Sequence, residues 1–390
     1  MKKPFIPFFR PSITNLEEEA VLRVMRSGWL TTGSEALAFE KEFASFVSSP
    51  RALTVNSASS GLILAMQALG VGPGTRILTT PYTFISTATA ATHLGAEVCY
   101  ADIEPNGFNI DPGAVDALLS NNSDIRAVVP VHIAGLPCAM DPILFSAKKY
   151  NVAVIEDAAH SFPSKTKNGY AGTLGDAGVF SFYATKTITT GEGGMVCVKD
   201  EEIAQRISRL RSHGIDRPVW DRYTSKQADW FYDVIDEGWK CNLPDILAAL
   251  GRVQLSRAPQ FFEKRAAIAA RFSKAFAPYD FLTLPPDGPG HAWHLYLLGI
   301  VPERMNIDRN EFSRLLSSEG LGISMHFIPH FEFTWCKKRY GISRADFPQA
   351  AHRYDTTLSL PLWPDMDEES ITRVIDTVIK IGKAHYRRHA

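Results

Sequence analysis

One lysine, Lys186, stands in "SFYATKTITTGEGGM" among hydroxylated residues that give way to glycines, directly after an apolar, strand-like run. An ammonium group gains little from such surroundings, so a chemical task is the better account of it. Upstream by 29 residues, "VIEDAAH" ends a second apolar run on adjacent acids, Glu156 and Asp157. Side chains alternate along a strand, so only one of the two acids points into a site at that end. An isolated acid there would ordinarily be a helix cap or a surface group. Paired with a lysine at a neighbouring strand end, it matches what pyridoxal 5'-phosphate (PLP) requires. The acid keeps the ring nitrogen protonated, and the lysine holds the aldehyde as a Schiff base.

A phosphate needs a cradle, and "VNSASSGL" runs from a strand into a helix through small residues. The backbone N–H groups of Ala58 and Ser59 at that helix start could bind a dianion, although such a turn is also plain strand-to-helix chemistry. Ser181, five residues before the lysine, could add a hydroxyl. Phe84 in "PYTFIS" could stack on a ring, while a lone phenylalanine is as a rule a core residue.

The elements that must position these residues are short β-branched runs alternating with helical patterns: "RALTV", "RILTT", "EVCYADI", "IRAVVPVHIAG", "NVAVIEDAAHS", "GVFSFYA" and "GMVCVKD". Asp111 and Pro112 read as the N-cap and first residue of one intervening helix. This alternation predicts an α/β domain with a mostly parallel central sheet flanked by helices, with ligands at the carboxyl ends of its strands. "GWKCNLPDILAALGRVQL" opens a long helix toward Phe276, with Ile246, Ala249, Leu250 and Val253 on one face. Beyond it, "HAWHLYLLGIV" and "GISMHFIPH" read as strands of a smaller C-terminal α+β domain. The boundaries expected are 1–255 for the large domain and 256–390 for the small one.

Composition sets the frame. The chain has 390 residues, 45% hydrophobic and 21% charged, with a formal net charge of −1. That balance gives no basic footprint for nucleic acid. The five cysteines are scattered without metal-ligand spacing, and their odd number forms no disulfide framework, so a reduced, cytoplasmic setting and no metal site are expected. No run of about 18 apolar residues suggests a membrane span, and "MKKPFIPFFRPSITN" lacks the features of a signal peptide.

The ordered segments "SGWLTTG", "NSASSGL", "PYTFISTATA", "VIEDAAHSFPS", "GDAGVFSFYATKTITTGEGGM", "LRSHGI", "GWKCNLPDILAALGRVQL" and "FPQAAHRYDTTLSLPLWPDM" resemble the DegT/StrS family of PLP-dependent nucleotide-sugar aminotransferases over essentially the whole chain. The resemblance implies a fold-type I PLP-dependent transferase forming a homodimer. It implies Lys186 as the Schiff-base lysine, Asp157 as partner of the ring nitrogen, Phe84 as the stacking aromatic and His160 beside the phenolic oxygen. Ala58, Ser59 and Ser181 match its phosphate cradle. Lys240 and Asn242 match two polar positions of a segment donated across the dimer, where many relatives carry Asn and Arg. Glutamate is the implied donor and a nucleotide-linked keto-sugar the implied acceptor, a 4-keto-6-deoxyhexose first. Trp29, Leu30, Thr31, His326 and His330 are candidates to line the substrate cleft, although lone histidines are commonly satisfied strand or loop residues.

Competing readings are a 3-keto-sugar aminotransferase, a sugar deoxygenase and a non-catalytic regulatory protein on the same scaffold. Deoxygenating relatives replace the lysine by histidine, which Lys186 speaks against. A nicotinamide dehydrogenase is disfavoured because "TTGEGGM" opens no clear helix, so its glycines read as a turn.

Overall fold

The structure, a computed structural model, describes residues 4–216 and 231–387. Among the described residues, nine strands precede the long helix: β1 (Arg51–Val55), β2 (Arg76–Thr79), β3 (Glu97–Tyr100), β4 (Ile125–Val128), β5 (Ala153–Asp157), β6 (Lys165–Thr166), β7 (Gly169–Tyr170), β8 (Ala177–Ser181) and β9 (Gly194–Val198). Seven of them form one sheet in the order β1-β9-β8-β5-β4-β2-β3. Its pairs are parallel except at β9, which runs antiparallel to both β1 and β8. Every residue of β8 and β9 is buried, as expected where helices cover both faces and the strands read as unbroken apolar runs. The helix Pro112–Asn121 starts as its sequence predicts, with the Asp111 side chain accepting from Gly113 N and proline in the first turn.

The helix Asp245–Phe276 is 32 residues long, and the expected boundary at 255/256 falls inside it. Beyond it, β10 (Leu282–Thr283), β11 (Tyr296–Ile300) and β12 (Thr357–Leu360) form an antiparallel sheet. Ile6 packs in the core of this smaller unit and bridges Leu321, so the amino-terminal residues cross over to it. Residues 330–351 lean the other way. Asp102 accepts from Gln349 N and Ala350 N, His330 N donates to Pro81 O, and Phe331 stacks on Phe347 within the core of the large sheet.

"GISMHFIPH" is not a strand. Its backbone bridges a strand at Ser324–Ser359 alone among the described residues. Residues 322–327 are all half-buried, without the alternation of a strand, and Pro329 has no N–H to give a ladder. No helix among the described residues is long and apolar enough to cross a membrane.

Candidate active site

A cavity of about 480 Å³ opens at the carboxyl ends of β5 and β8. Lys186, Asp157, His160, Ala58, Ser59, Phe84, Ser181 and His326 all line it.

Lys186 rides on the excursion between β8 and β9, and the hydroxyls around it explain their presence by what they bind. Thr187 Oγ1 donates to Phe162 O (2.7 Å), Thr189 Oγ1 to Phe182 O (3.0 Å) and Thr190 Oγ1 to Glu192 O (2.7 Å). Gly191 then turns the chain back with φ = 81°, a conformation that glycine adopts without steric cost. The threonines therefore satisfy the backbone of a loop whose one cation faces the cavity. Loss of hydration pushes the Lys186 amine down to about 8, against a smaller upward pull from Asp157.

Of the two acids ending β5, Asp157 turns to the cavity. Its carboxylate accepts from Thr87 Oγ1 (2.8 Å) and Ala159 N (3.2 Å). Burial raises its pKa, and these bonds with the charge of Lys186 oppose the rise. A cationic ring nitrogen would supply the partner that this buried carboxylate calls for. Glu156 faces the opposite side, where His132 Nε2 and the N–H groups of Gly172, Leu174 and Gly175 meet it.

His160 accepts at Nδ1 from Ala134 N (3.4 Å) and stacks on Phe327, with ring centroids 5.2 Å apart. Burial, then the nearby Lys186 and His326, hold its pKa well below the usual histidine value, which leaves the ring neutral. The helix Ala58–Ala68 is capped by Ser57, whose Oγ accepts from Ser60 N. Its first two amides have no acceptor within the helix. A Cβ on Gly194 would lie 2.9 Å from Ala58 N and 2.7 Å from Phe180 O, so only glycine lets β9 pass this close to the cradle. The lysine, the acid, the neutral imidazole and the unfilled amides together fit PLP. No group of three or more metal-ligating side chains occurs among the described residues.

The family model of the DegT/DnrJ/EryC1/StrS aminotransferase family matches residues 11–379. The chain belongs to this family. It is 42% identical over 382 residues to SpsC of Bacillus subtilis (strain 168), a spore coat polysaccharide biosynthesis protein, with 97% of each chain covered. The PLP form of Streptococcus pneumoniae Spr1654 superposes with a TM-score of 0.89 at 27% identity, covering 97% of this chain and 99% of that one. Helicobacter pylori PseC, an aminotransferase involved in the biosynthesis of pseudoaminic acid, gives 0.90 at 27% identity, covering 98% and 100%. This DegT-family member is a PLP-dependent sugar aminotransferase with the fold-type I architecture.

The remaining candidates lie elsewhere. His330 is fully buried, its Nδ1 3.1 Å from Tyr100 OH, and it does not line the cavity. Its place is set by packing between the two units. Trp29, Leu30 and Thr31 are also outside the cavity of their own chain. They join the start of the long helix, where Asp245 N donates to Leu30 O and the Asp245 carboxylate accepts from Gly33, Glu35 and Ala36 N–H. Asn242 donates to Thr32 Oγ1 in the same knot, and Lys240 is exposed. Sequence reasoning missed Thr87, Glu192 and Phe327. Thr83 and Thr87, four residues apart across the start of the helix Ser86–His93 with hydroxyls at 3.1 Å, carried a usable signal in "PYTFISTATA".

Gly194→Ala should weaken PLP binding about tenfold or more, because overpacking at this contact displaces the Ala58 amide. Titration of the apoenzyme with PLP measures this. An affinity within twofold of wild type, ~0.4 kcal/mol, would remove Ala58 N–H from the cradle.

Proposed function

We propose that this enzyme moves an amino group from glutamate to a nucleotide-linked keto-sugar, a 4-keto-6-deoxyhexose, for cell-surface polysaccharide or glycoconjugate synthesis in the cytoplasm. The observation that carries the reading is the convergence of Lys186, Asp157 and the Ala58–Ser59 amides on one cavity. The named role of SpsC in spore coat polysaccharide biosynthesis supports the pathway class.

The bound cofactor supplies an electron sink for the carbon that bears the amino group. Lys186 anchors the cofactor through its amine. Once freed, with a pKa brought down to about 8, it takes and returns a proton near neutral pH. Asp157, held by Thr87, keeps a proton on the ring nitrogen. His160 donates Nε2–H to the phenolic oxygen, since Nδ1 is taken as an acceptor. Ala58 N, Ser59 N and Ser181 Oγ hold the phosphate, Phe84 stacks on the cofactor ring, and His326 borders the substrate space. Lys240 and Asn242 act in the site of a second copy, which accounts for their placement outside their own cavity. In a homodimer built this way, Trp29, Leu30 and Thr31 travel with them through the Asp245 knot.

Single-turnover oxidation of the pyridoxamine form by a panel of keto-sugar nucleotides tests the acceptor. A 4-keto-6-deoxyhexose should react fastest. Faster reaction with a 3-keto sugar replaces the positional reading, and preference for simple 2-keto acids other than the donor's product overturns the sugar reading.

A further inference from the structure

Behind the catalytic face of β5 lies a fully buried pair that the mechanism above does not use. Glu156 and His132 are both 0% exposed, with Glu156 Oε2 2.9 Å from His132 Nε2. His132 Nδ1 accepts the amide hydrogen of Cys138 at 3.0 Å, so the ring proton sits on Nε2 and points at the carboxylate. Glu156 also receives the N–H groups of Gly172 (2.8 Å), Leu174 (2.6 Å) and Gly175 (2.7 Å). Four donors onto one buried carboxylate keep it ionised and fixed.

This anchor ties two segments to the back of β5. One is the loop that feeds β8, and with it Ser181 and Lys186. The other is the turn after β4, which reaches the site directly. His132 N donates to Asp157 O, Asp157 N donates to Pro130 O, and Ala134 N donates to Nδ1 of His160. Ala134 adopts φ = 59°, ψ = 1°, and Gly135 follows with φ = 100°. A non-glycine residue in the left-handed region persists only where its surroundings over-determine it. Here the His132 ring, held at both nitrogens, anchors the start of the turn; Asn109 Oδ1 accepts from Ile133 N, Ala134 O from Leu295 N, and Gly135 O from Ala292 N and Ser164 Oγ, and the bend so held aims the Ala134 amide at His160.

We propose that Glu156 and His132 are positioning residues for the aminotransferase reaction: through the turn 132–135 they hold His160 as its Nε2–H tautomer and fix its place relative to Asp157. The inference rests on the reading that PLP binds in this cavity with His160 at its phenolic oxygen. It gives the two adjacent acids of "VIEDAAH" separate tasks, Asp157 toward the cofactor and Glu156 toward the scaffold. Loosening the pair withdraws a donor from the phenolic oxygen and slackens the carboxylate at the ring nitrogen. Both changes make the bound cofactor hold its proton more tightly.

The test uses Glu156→Gln and His132→Gln holoenzymes, in which an amide replaces the carboxylate or the imidazole without emptying the space. The pH midpoint of the bound cofactor's visible absorption band should move upward by on the order of one unit, while borohydride still fixes the label on Lys186. Lower melting temperature with an unmoved midpoint would mean that the pair supports only the fold, and would overturn the proposal. If both variants fail to fold, nitrogen-15 histidine spectra of the wild-type protein decide. The proton of His160 is expected on Nε2, and finding it on Nδ1 overturns the proposal. A wild-type protein that binds no PLP would sink the reading of the cavity instead, and the apoprotein's His160 tautomer would still be measurable.

Discussion

Lys186→Ala folds, retains PLP without a covalent link, and loses turnover by at least on the order of 10⁴-fold, because anchor and proton carrier disappear together. The fold survives because the loop around the lysine is held by threonine hydroxyls and backbone bonds, to which the amine contributes nothing. Steady-state turnover with glutamate and the preferred sugar, beside a circular dichroism spectrum, measures both halves of the claim. Borohydride reduction of the wild type should place the cofactor on the peptide containing Lys186. Near-normal turnover, or label on another lysine, would remove Lys186 from the reaction. The same variant tests the proposal that sites are shared between two copies. Co-refolded with Lys240→Ala subunits, it should regain activity above the average of the two parents, since in a two-fold dimer one site then carries neither defect.

Asp157→Asn slows the donor half-reaction by roughly 10²–10³-fold while leaving the protein folded, the range seen when one preorganised charge or donor at a reacting group is lost. The amide matches the carboxylate in size and can still accept from Thr87, but it cannot balance a positive ring nitrogen. Burial already works against the charge of Asp157, so the ionised form depends on its bonds and on a cation beside it. Rapid mixing with glutamate, followed by the loss of the cofactor's visible band, gives the rate. A rate within a few-fold of wild type would show that the ring nitrogen needs no carboxylate here.

The parts of the fold legible in the sequence are those whose signal is local. β5 and β8 announce themselves as apolar runs, the helix after Asp111 by its cap, and the glycines after Lys186 by their turn, which the structure forms at Gly191. Strand order is not local. Nothing in "GMVCVKD" says that β9 runs antiparallel between β1 and β8, because a fully buried strand looks the same in either direction. The site follows the same division. Lys186, Asp157 and the Ala58–Ser59 turn are readable because each ends or follows an element. His330 and the Trp29–Thr31 segment carry no such local signal: tertiary contacts hold His330 at a packing seam and Trp29–Thr31 at the Asp245 knot, outside the cavity of their own chain.

The pairing of β1 with β9 also governs when an active site can exist. β1 lies at the edge of the seven-stranded sheet with β9 as its neighbour, and the cradle amides of Ala58 and Ser59 follow β1 directly. A chain emerging from the ribosome carries β1 unpaired until Val198 has left the exit tunnel, and His326 arrives later still. Contacts so distant in sequence fold slowly and leave sticky edges exposed in the meantime. An unpaired β1 is therefore exposed to association through this window, and because the lining of the PLP cavity includes His326, the site is complete only in a nearly finished polypeptide.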